Sequence, residues 1–174
     1  MRVGYRLTQF WQLLTAAPLP PAAIADITAV LTPAEYTLYQ RYNLTDQQHT
    51  YQVLALLRQA GYTQPALLTA ALLHDVGKTC VPINVLERSL AVLAYKLLPR
   101  QTAVWGQGEA KGWQRPFVVK MQHPQWSAEL AQAAGSDPLA VWLMAHHQDR
   151  LPPPAERDER WHLLAQLQWA DDQS

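Results

Sequence analysis

Histidine and aspartate side chains recur along this 174-residue chain at positions where they could bind metal ions. His74 and Asp75 stand side by side at the end of an apolar run, in the stretch ALLHDVGK, where burying either group without a partner would be costly. Imidazole nitrogens and carboxylates, without thiolates, suit iron, manganese, zinc and similar divalent ions. The candidate ligands are His49, His74, Asp75, His123, His146, His147 and one of Asp171 or Asp172.

This ligand set indicates two metal ions. A single histidine on an apolar helix face is usually an ordinary core or surface residue, so the argument depends on the number of candidates. Four ligands already complete a tetrahedral site, and the chain offers more than four. We therefore expect two ions, with Asp75 as a carboxylate that bridges them and His74 as a ligand of one.

The segments that carry these residues have the pattern of helices. Apolar residues recur at helical spacing over residues 46–61, 65–75, 123–135, 137–147 and about 158–172, and prolines or glycines separate these segments. Asp46 and Asp137 are expected N-caps, and Pro124 is expected in the first turn of its helix. No segment alternates with a period of two for long enough to form a sheet, so the predicted fold class is all-α.

Composition excludes several other classes of protein. The formal net charge is zero, which leaves no broad basic face for nucleic acid, so we expect no nucleic-acid partner. The single Cys80 allows no intramolecular disulfide and fits a reducing compartment. The longest apolar run, near Leu90, is interrupted by Lys96 and is too short for a membrane span. With no evident signal peptide, the chain is expected to be cytoplasmic.

In their order along the chain, these residues resemble the HD-domain superfamily of metal-dependent phosphohydrolases. The matching motifs are His49, the HD pair at residues 74–75, His123 before a proline, the HH pair at 146–147, and Asp171 after an alanine. The resemblance runs from about Thr45 to Asp172 and is closest to the branch that includes the HD-GYP cyclic dinucleotide phosphodiesterases. It implies a compact helical bundle formed by a single domain, residues 1–174, in which residues 1–44 are an N-terminal helical extension.

The resemblance also divides the ligands between two divalent transition metal ions. Iron or manganese is expected, with zinc, nickel or magnesium as alternatives. Asp171 is preferred to Asp172 because it follows the alanine; helical periodicity does not decide between them. The resemblance implies that one ion is bound by His49, His74, Asp75 and Asp171, and the other by Asp75, His123, His146 and His147.

The chain departs from the HD-GYP pattern in three respects. Thr45 stands one turn before His49, where some relatives have a glutamate that supports a third metal, so two metals are expected and not three. No GYP follows the paired histidines, so we expect a small phosphomonoester or mononucleotide to be preferred to cyclic di-guanylate. Residues 84–114 form an insertion between the HD and HP motifs. Its leucine stripe is expected to pack on its own domain. A lid or a homodimer contact ranks next, and a membrane-surface helix last.

The predicted function is a metal-dependent phosphohydrolase, a phosphomonoesterase or phosphodiesterase acting on a small phosphorylated substrate or nucleotide. Asp75 would hold the ions and orient the nucleophile. Lys78 is either a solvated lysine beyond a helix end or a catalytic cation that binds phosphate. A di-iron oxygenase of the same fold and a catalytically silent regulatory binding module remain alternatives.

Overall fold

A computed structural model describes residues 18–174, and within them the regular secondary structure is helical, without β-strands. The predicted all-α class is therefore confirmed. The nine α-helices of this part are α1 Pro21–Thr28, α2 Pro33–Tyr39, α3 Leu44–Gln59, α4 Pro65–Leu73, α5 Val85–Leu97, α6 Pro99–Trp105, α7 Arg115–Ala133, α8 Pro138–His146 and α9 Glu159–Gln173. Short 3₁₀ turns cover Val76–Cys80, Gly112–Gln114 and Pro154–Glu156. Of the predicted N-terminal extension, residues 1–17 lie outside the described residues, and α1 and α2 belong to the remainder.

Polar caps and prolines fix where the helices begin. Asp137 caps α8 as predicted, because its side chain accepts a hydrogen bond from the Leu139 N–H. The prediction that Asp46 caps α3 is wrong. Asn43 does so, since its Oδ1 accepts from the Asp46 N–H at 3.0 Å. At the other end of α3, Gly61 adopts a φ of 88°, a conformation that favours glycine.

Helix α4 lies at the centre of the bundle. Every residue of α4 after Pro65 is buried, which explains why its sequence is apolar all round rather than amphipathic. Helices α3, α8 and α9 pack against it, and α7 packs against both α8 and the turn Val76–Cys80. The end of α4, with His74 and Asp75, is therefore surrounded by the helices that carry the other candidate ligands.

Helix α7 does not begin at Pro124 as predicted. It begins at Arg115, and Pro124 lies inside it. Pro116 occupies the first turn, where a proline is easily accommodated. An interior proline leaves the carbonyl four residues earlier without its usual N–H donor, and here that carbonyl belongs to Lys120.

The segment 84–114 contains α5, α6 and the turn at Gly112–Gln114. Its leucine stripe does not pack on the rest of the domain, contrary to expectation: Leu86, Leu90, Leu93 and Leu97 are 53–75 % exposed. Helix α5 instead turns Ala91 inward, while the Tyr95 hydroxyl donates to the Phe117 carbonyl at 3.3 Å. None of the described helices is both long and apolar enough to cross a membrane.

Candidate metal centre

Five helices place histidine and aspartate side chains around the buried carboxylate of Asp75. Asp75 follows His74 at the end of α4, where the chain enters the turn Val76–Cys80. The side chains that surround it are His49 from α3, His74 from the end of α4, His123 from α7, His147 from the end of α8 and Asp171 from α9.

The first group of side chains lies on the Oδ2 side of Asp75. The Nε2 atoms of His74 and His49 lie 3.6 and 3.9 Å from Asp75 Oδ2. The same nitrogens lie 3.5 and 3.0 Å from Asp171 Oδ1. The ligand atoms of His49, His74 and Asp75 lie close enough together to hold a metal ion, and Asp171 contacts both imidazoles.

The second group faces the other oxygen of the same carboxylate. His123 Nε2 and His147 Nε2 lie 3.1 and 3.7 Å from Asp75 Oδ1, and 3.2 Å from each other. These three residues could hold another ion. Asp75 is common to both groups and offers a different oxygen to each, which is the geometry required of a bridging carboxylate.

Backbone carbonyls determine which nitrogen of each buried histidine carries the proton. A carbonyl oxygen can only accept, so the Nδ1 atom that contacts it must donate, which leaves Nε2 with a lone pair. Gln148 offers a side-chain N–H to His123 Nε2 at 3.2 Å, in agreement with an acceptor there. The Nδ1 contacts are His74 with Ala71 O at 3.0 Å, His123 with Val119 O at 2.8 Å and His147 with Met144 O at 2.8 Å.

His49 is oriented by a hydroxyl instead of a carbonyl of its own helix. Ser174 Oγ donates to Asp171 O at 2.8 Å and lies 2.9 Å from His49 Nδ1. With the hydroxyl proton directed at Asp171 O, His49 Nδ1 donates to Ser174 Oγ, and His49 Nε2 is the acceptor that faces Asp171. Ser174 therefore supports His49 in the way that groups behind metal ligands commonly do.

The imidazole lone pairs and carboxylate oxygens around Asp75 are all hydrogen-bond acceptors. Holding them this close together is favourable only if a cation lies between them. Lone pairs of His123 and His147 face each other and an Asp75 oxygen, which is repulsive unless positive charge lies between them. His74 Nε2 is buried and has no hydrogen-bond partner within residues 18–174. For ligand bonds of about 2.1 Å, neighbouring ligand atoms lie about 3.0 Å apart in an octahedral site and about 3.4 Å apart in a tetrahedral one. Most of the observed separations are close to these values, so the donor set fits divalent metal ions.

At Asp75, His123 and His147 the electrostatics favour the protonation states that bind cations. Burial would raise the pKa of the Asp75 carboxyl, but Lys78 and His74 outweigh it and hold that pKa well below its usual range. Burial, together with His74, lowers the pKa of His147 to about 3. Burial also lowers the pKa of His123. An ionised carboxylate and two neutral imidazoles are the states in which these groups bind metals.

Lys78 lies beside the centre and is not merely solvated. Its Nζ contacts Asp75 Oδ2, and about a third of its side chain is exposed. Lys120 lies near enough that its pKa is lowered, first by burial and then by the charge of Lys78. Two cationic side chains thus lie near the buried carboxylate.

The structure does not bring His146 to the centre, although the sequence suggested it as a ligand. Its ring stacks on Trp142, with centroids 4.3 Å apart, and meets the edge of Trp161. Its Nδ1 donates to Trp142 O at 2.8 Å. Adjacent residues of a helix point about 100° apart, so His146 and His147 cannot both face the same site from this helix end. We leave His146 out of the proposed ligand set.

Two further residues, Gly77 and Pro124, shape the centre without binding in it, and the sequence analysis did not predict this role for either. Gly77 lies directly against α7, where its N–H donates to Ser127 Oγ at 2.8 Å. Pro124 deprives Lys120 O of an N–H donor, and His123 Nδ1 lies 3.1 Å from that oxygen as well as close to Val119 O. The proline of the HP motif thereby leaves free a carbonyl that helps to orient the preceding histidine. The signs of these roles in the sequence were a glycine two residues after the HD pair and a proline directly after His123.

Comparisons with curated proteins and with solved structures give no significant match. A comparison with known protein families matches residues 47–172 to the HD domain. The matched segment begins just before His49, ends just after Asp171 and includes all the side chains that surround Asp75. Because the match covers well over half of the chain, the protein belongs to the HD domain family.

Proposed function

We propose that the protein is a metal-dependent phosphohydrolase with a dinuclear centre that acts on a small phosphoester or nucleotide. The observation that carries this proposal is Asp75, whose two carboxylate oxygens face two separate groups of imidazole nitrogens. The first ion would be held by His49, His74, Asp75 and Asp171, and the second by Asp75, His123 and His147. Iron or manganese is our preferred metal, because histidine and carboxylate ligands without thiolates suit these ions.

When bound, two divalent ions activate water as a nucleophile and neutralise charge on phosphoryl oxygens. Asp75 keeps the two sites at a fixed separation. Lys78, whose ammonium group contacts Asp75 Oδ2, is placed to bind a phosphoryl oxygen that approaches from the open side. The buried Nδ1 contacts fix the imidazole rings, so that little reorganisation is needed when substrate binds.

Cationic side chains beside the centre favour hydrolysis of a phosphoester over oxidation of a neutral substrate. Lys78 and Lys120 would stabilise a substrate that carries negative charge, and their mutual repulsion falls when an anion lies between them. We also propose that a phosphomonoester or mononucleotide is cleaved in preference to cyclic di-guanylate. A dinucleotide needs contacts for two bases and a second phosphate, and no GYP motif is present to recognise it.

The test is a comparison of metal content and activity between the wild type, Asp75→Asn and Asp172→Asn. Protein purified without oxygen is analysed for metals, loaded with iron, manganese or magnesium, and assayed for phosphate release from a panel of phosphoesters and nucleotides. We expect about two metals per chain and phosphate release in the wild type and in Asp172→Asn. Asp75→Asn should lose both ions and all activity, because a carboxamide cannot bridge two cations as a carboxylate does.

Three results would contradict parts of this proposal. Loss of a single ion in Asp75→Asn would show that this carboxylate is a terminal ligand. Oxygen consumption by the iron-loaded protein, without release of phosphate from any ester, would identify an oxygenase. Ligand binding without turnover under every metal condition would identify a regulatory binding module.

A further inference from the structure

A pocket of about 460 Å³ opens beside the metal centre, between α5 and α7. Lys78, which contacts Asp75, forms part of its wall. Val119, whose carbonyl accepts a hydrogen bond from His123, forms another part. The pocket and the centre therefore share residues, and its volume is within the range of small-molecule binding sites.

The walls of this pocket are of two chemical kinds. One kind is apolar or aromatic and comprises Ile83, Ala91, Val92, Tyr95, Pro116 and Val119. The other is cationic and comprises Lys78, Arg88, Lys96 and Lys120. Among residues 18–174, no carboxylate and no side-chain amide lines the pocket, and the Tyr95 hydroxyl already donates to Phe117 O. Sugars and nucleobases need acceptors as well as donors for their hydroxyl groups and ring edges, and the polar side chains of these walls are cationic and can only donate.

The positive charge of the pocket is only partly balanced by the protein. Arg88 lies 3.9 Å from Asp46, and Lys78 contacts Asp75. Within residues 18–174, neither Lys96 nor Lys120 has a carboxylate at ion-pair distance. An anionic ligand would supply the missing charge, while an apolar group attached to it would cover the walls contributed by α5 and α7.

We propose, on the basis of the function proposed above, that the substrate is a phosphate monoester of an apolar alcohol, with an alkyl or aryl group and not a nucleoside. The phosphoryl group lies at Lys78 and Lys120 beside the metal centre, and the organic group lies between α5 and α7. Water adds to phosphorus, the P–O bond to the organic group breaks, and the alcohol leaves with one proton from water. Inorganic phosphate and the alcohol are the only products, so no further reactant is needed.

A series of alkyl phosphates tests this specificity without changing the chemistry of the leaving group. Ethyl, butyl and hexyl phosphate are compared with glycerol phosphate, whose leaving group is also a primary alcohol. Because each methylene removed from water contributes to binding, and the half-open pocket would cover only part of each methylene, we expect a KM roughly tenfold lower for hexyl than for ethyl or glycerol phosphate, with little change in kcat. A nucleoside monophosphate should be a poorer substrate than hexyl phosphate.

Variants on α5 test whether the preference for hexyl phosphate depends on the pocket. Val92 lines the pocket, whereas Leu93 is a neighbouring exposed residue outside its lining. Val92→Asn should raise the KM for hexyl phosphate roughly fivefold and leave the KM for ethyl phosphate unchanged. Leu93→Asn, the matched control, should leave both unchanged. Binding of hexylphosphonate and methylphosphonate, measured by calorimetry, gives a readout that does not depend on turnover.

The outcomes separate this inference from the proposed function. Phosphate release with equal KM values for hexyl and glycerol phosphate, or faster cleavage of a nucleotide, would overturn the inference and leave the hydrolase proposal intact. If no ester is cleaved but hexylphosphonate binds more tightly than methylphosphonate, and Val92→Asn removes the difference, the hydrolase proposal falls and the pocket assignment stands. Equal binding of the two phosphonates would overturn the pocket assignment whatever the activity.

Discussion

Gly77→Ala should damage both the stability of the protein and its metal centre. A Cβ atom on Gly77 would lie 2.7 Å from the Ser127 backbone nitrogen and closer still to the His123 carbonyl oxygen. Carbon atoms pack at about 3.5 Å or more, so the turn Val76–Cys80 would have to move away from α7 by about 1 Å. That movement would also displace Asp75 and Lys78, which lie within two residues of Gly77.

The expected loss in the free energy of unfolding is the sum of two costs, one from the clash and one from a broken hydrogen bond. Forced overpacking costs about 1–3 kcal/mol. The bond from the Gly77 N–H to Ser127 Oγ would also break, and a buried donor left unpaired costs about 1–3 kcal/mol. The free energy of unfolding should therefore fall by about 2–6 kcal/mol, which lowers Tm by roughly 5–20 °C in a chain of this length.

Two further variants serve as controls for Gly77→Ala. Gly108→Ala places its Cβ 3.4 Å from Gln114 Oε1, an ordinary contact, and should change the free energy of unfolding by less than about 0.5 kcal/mol. Ser127→Ala removes the hydrogen bond without the clash and should cost about 1–3 kcal/mol.

The assay is thermal unfolding followed by circular dichroism, with chelator and with added manganese, together with elemental analysis. A Gly77→Ala protein that unfolds within about 2 °C of the wild type and keeps its full metal content would refute the reasoning.

Three further predictions concern the ligand set and the exposed face of α5. Asp171→Ala should weaken metal binding by about 10- to 100-fold or more, whereas Asp172→Ala should leave it unchanged in a metal titration; the reverse would mean that α9 is rotated by one residue. His147→Ala should lose one of two ions by elemental analysis, and His146→Gln should keep both; equal losses would restore His146 to the ligand set. If the exposed leucines of α5 mediate a homodimer, Leu90→Glu should convert it to a monomer in sedimentation experiments, and a wild type that is already monomeric would remove that proposal.

The helical fold and the convergence on Asp75 could be predicted because both depend on local pattern and on the order of motifs. Helical periodicity, prolines and glycines indicate where most helices lie, and the order of His49, the HD pair, His123 and Asp171 points to one site. The sequence could not show which member of the HH pair faces the centre. His146 is held by Trp142 and Trp161, and the second of these lies on another helix.

Other features depended on packing that a single sequence does not reveal. An isolated proline normally predicts the start of a helix, but Pro124 is tolerated inside α7. There the His123 imidazole lies within hydrogen-bond distance of the Lys120 carbonyl, which the proline leaves without an N–H donor. A leucine stripe normally indicates the helix face that packs against the rest of the domain, but α5 buries Ala91 and leaves Leu90 exposed. Gly77 is required because the backbone of α7 passes too close to leave room for a Cβ atom. Such a requirement produces no periodic pattern in the sequence.

The Ser174–His49 contact joins α9 to α3 across 125 positions of the chain. An ion held by His49, His74 and Asp171 would tie the same two helices to α4 and so act as a removable cross-link. Closing a loop of more than 100 residues by a covalent bond lowers the entropy of the unfolded chain by an amount worth about 4–5 kcal/mol. Stripping the ion with a chelator would restore that entropy. The last helix should therefore be the first part of the bundle to exchange its amide protons when the metal is withdrawn.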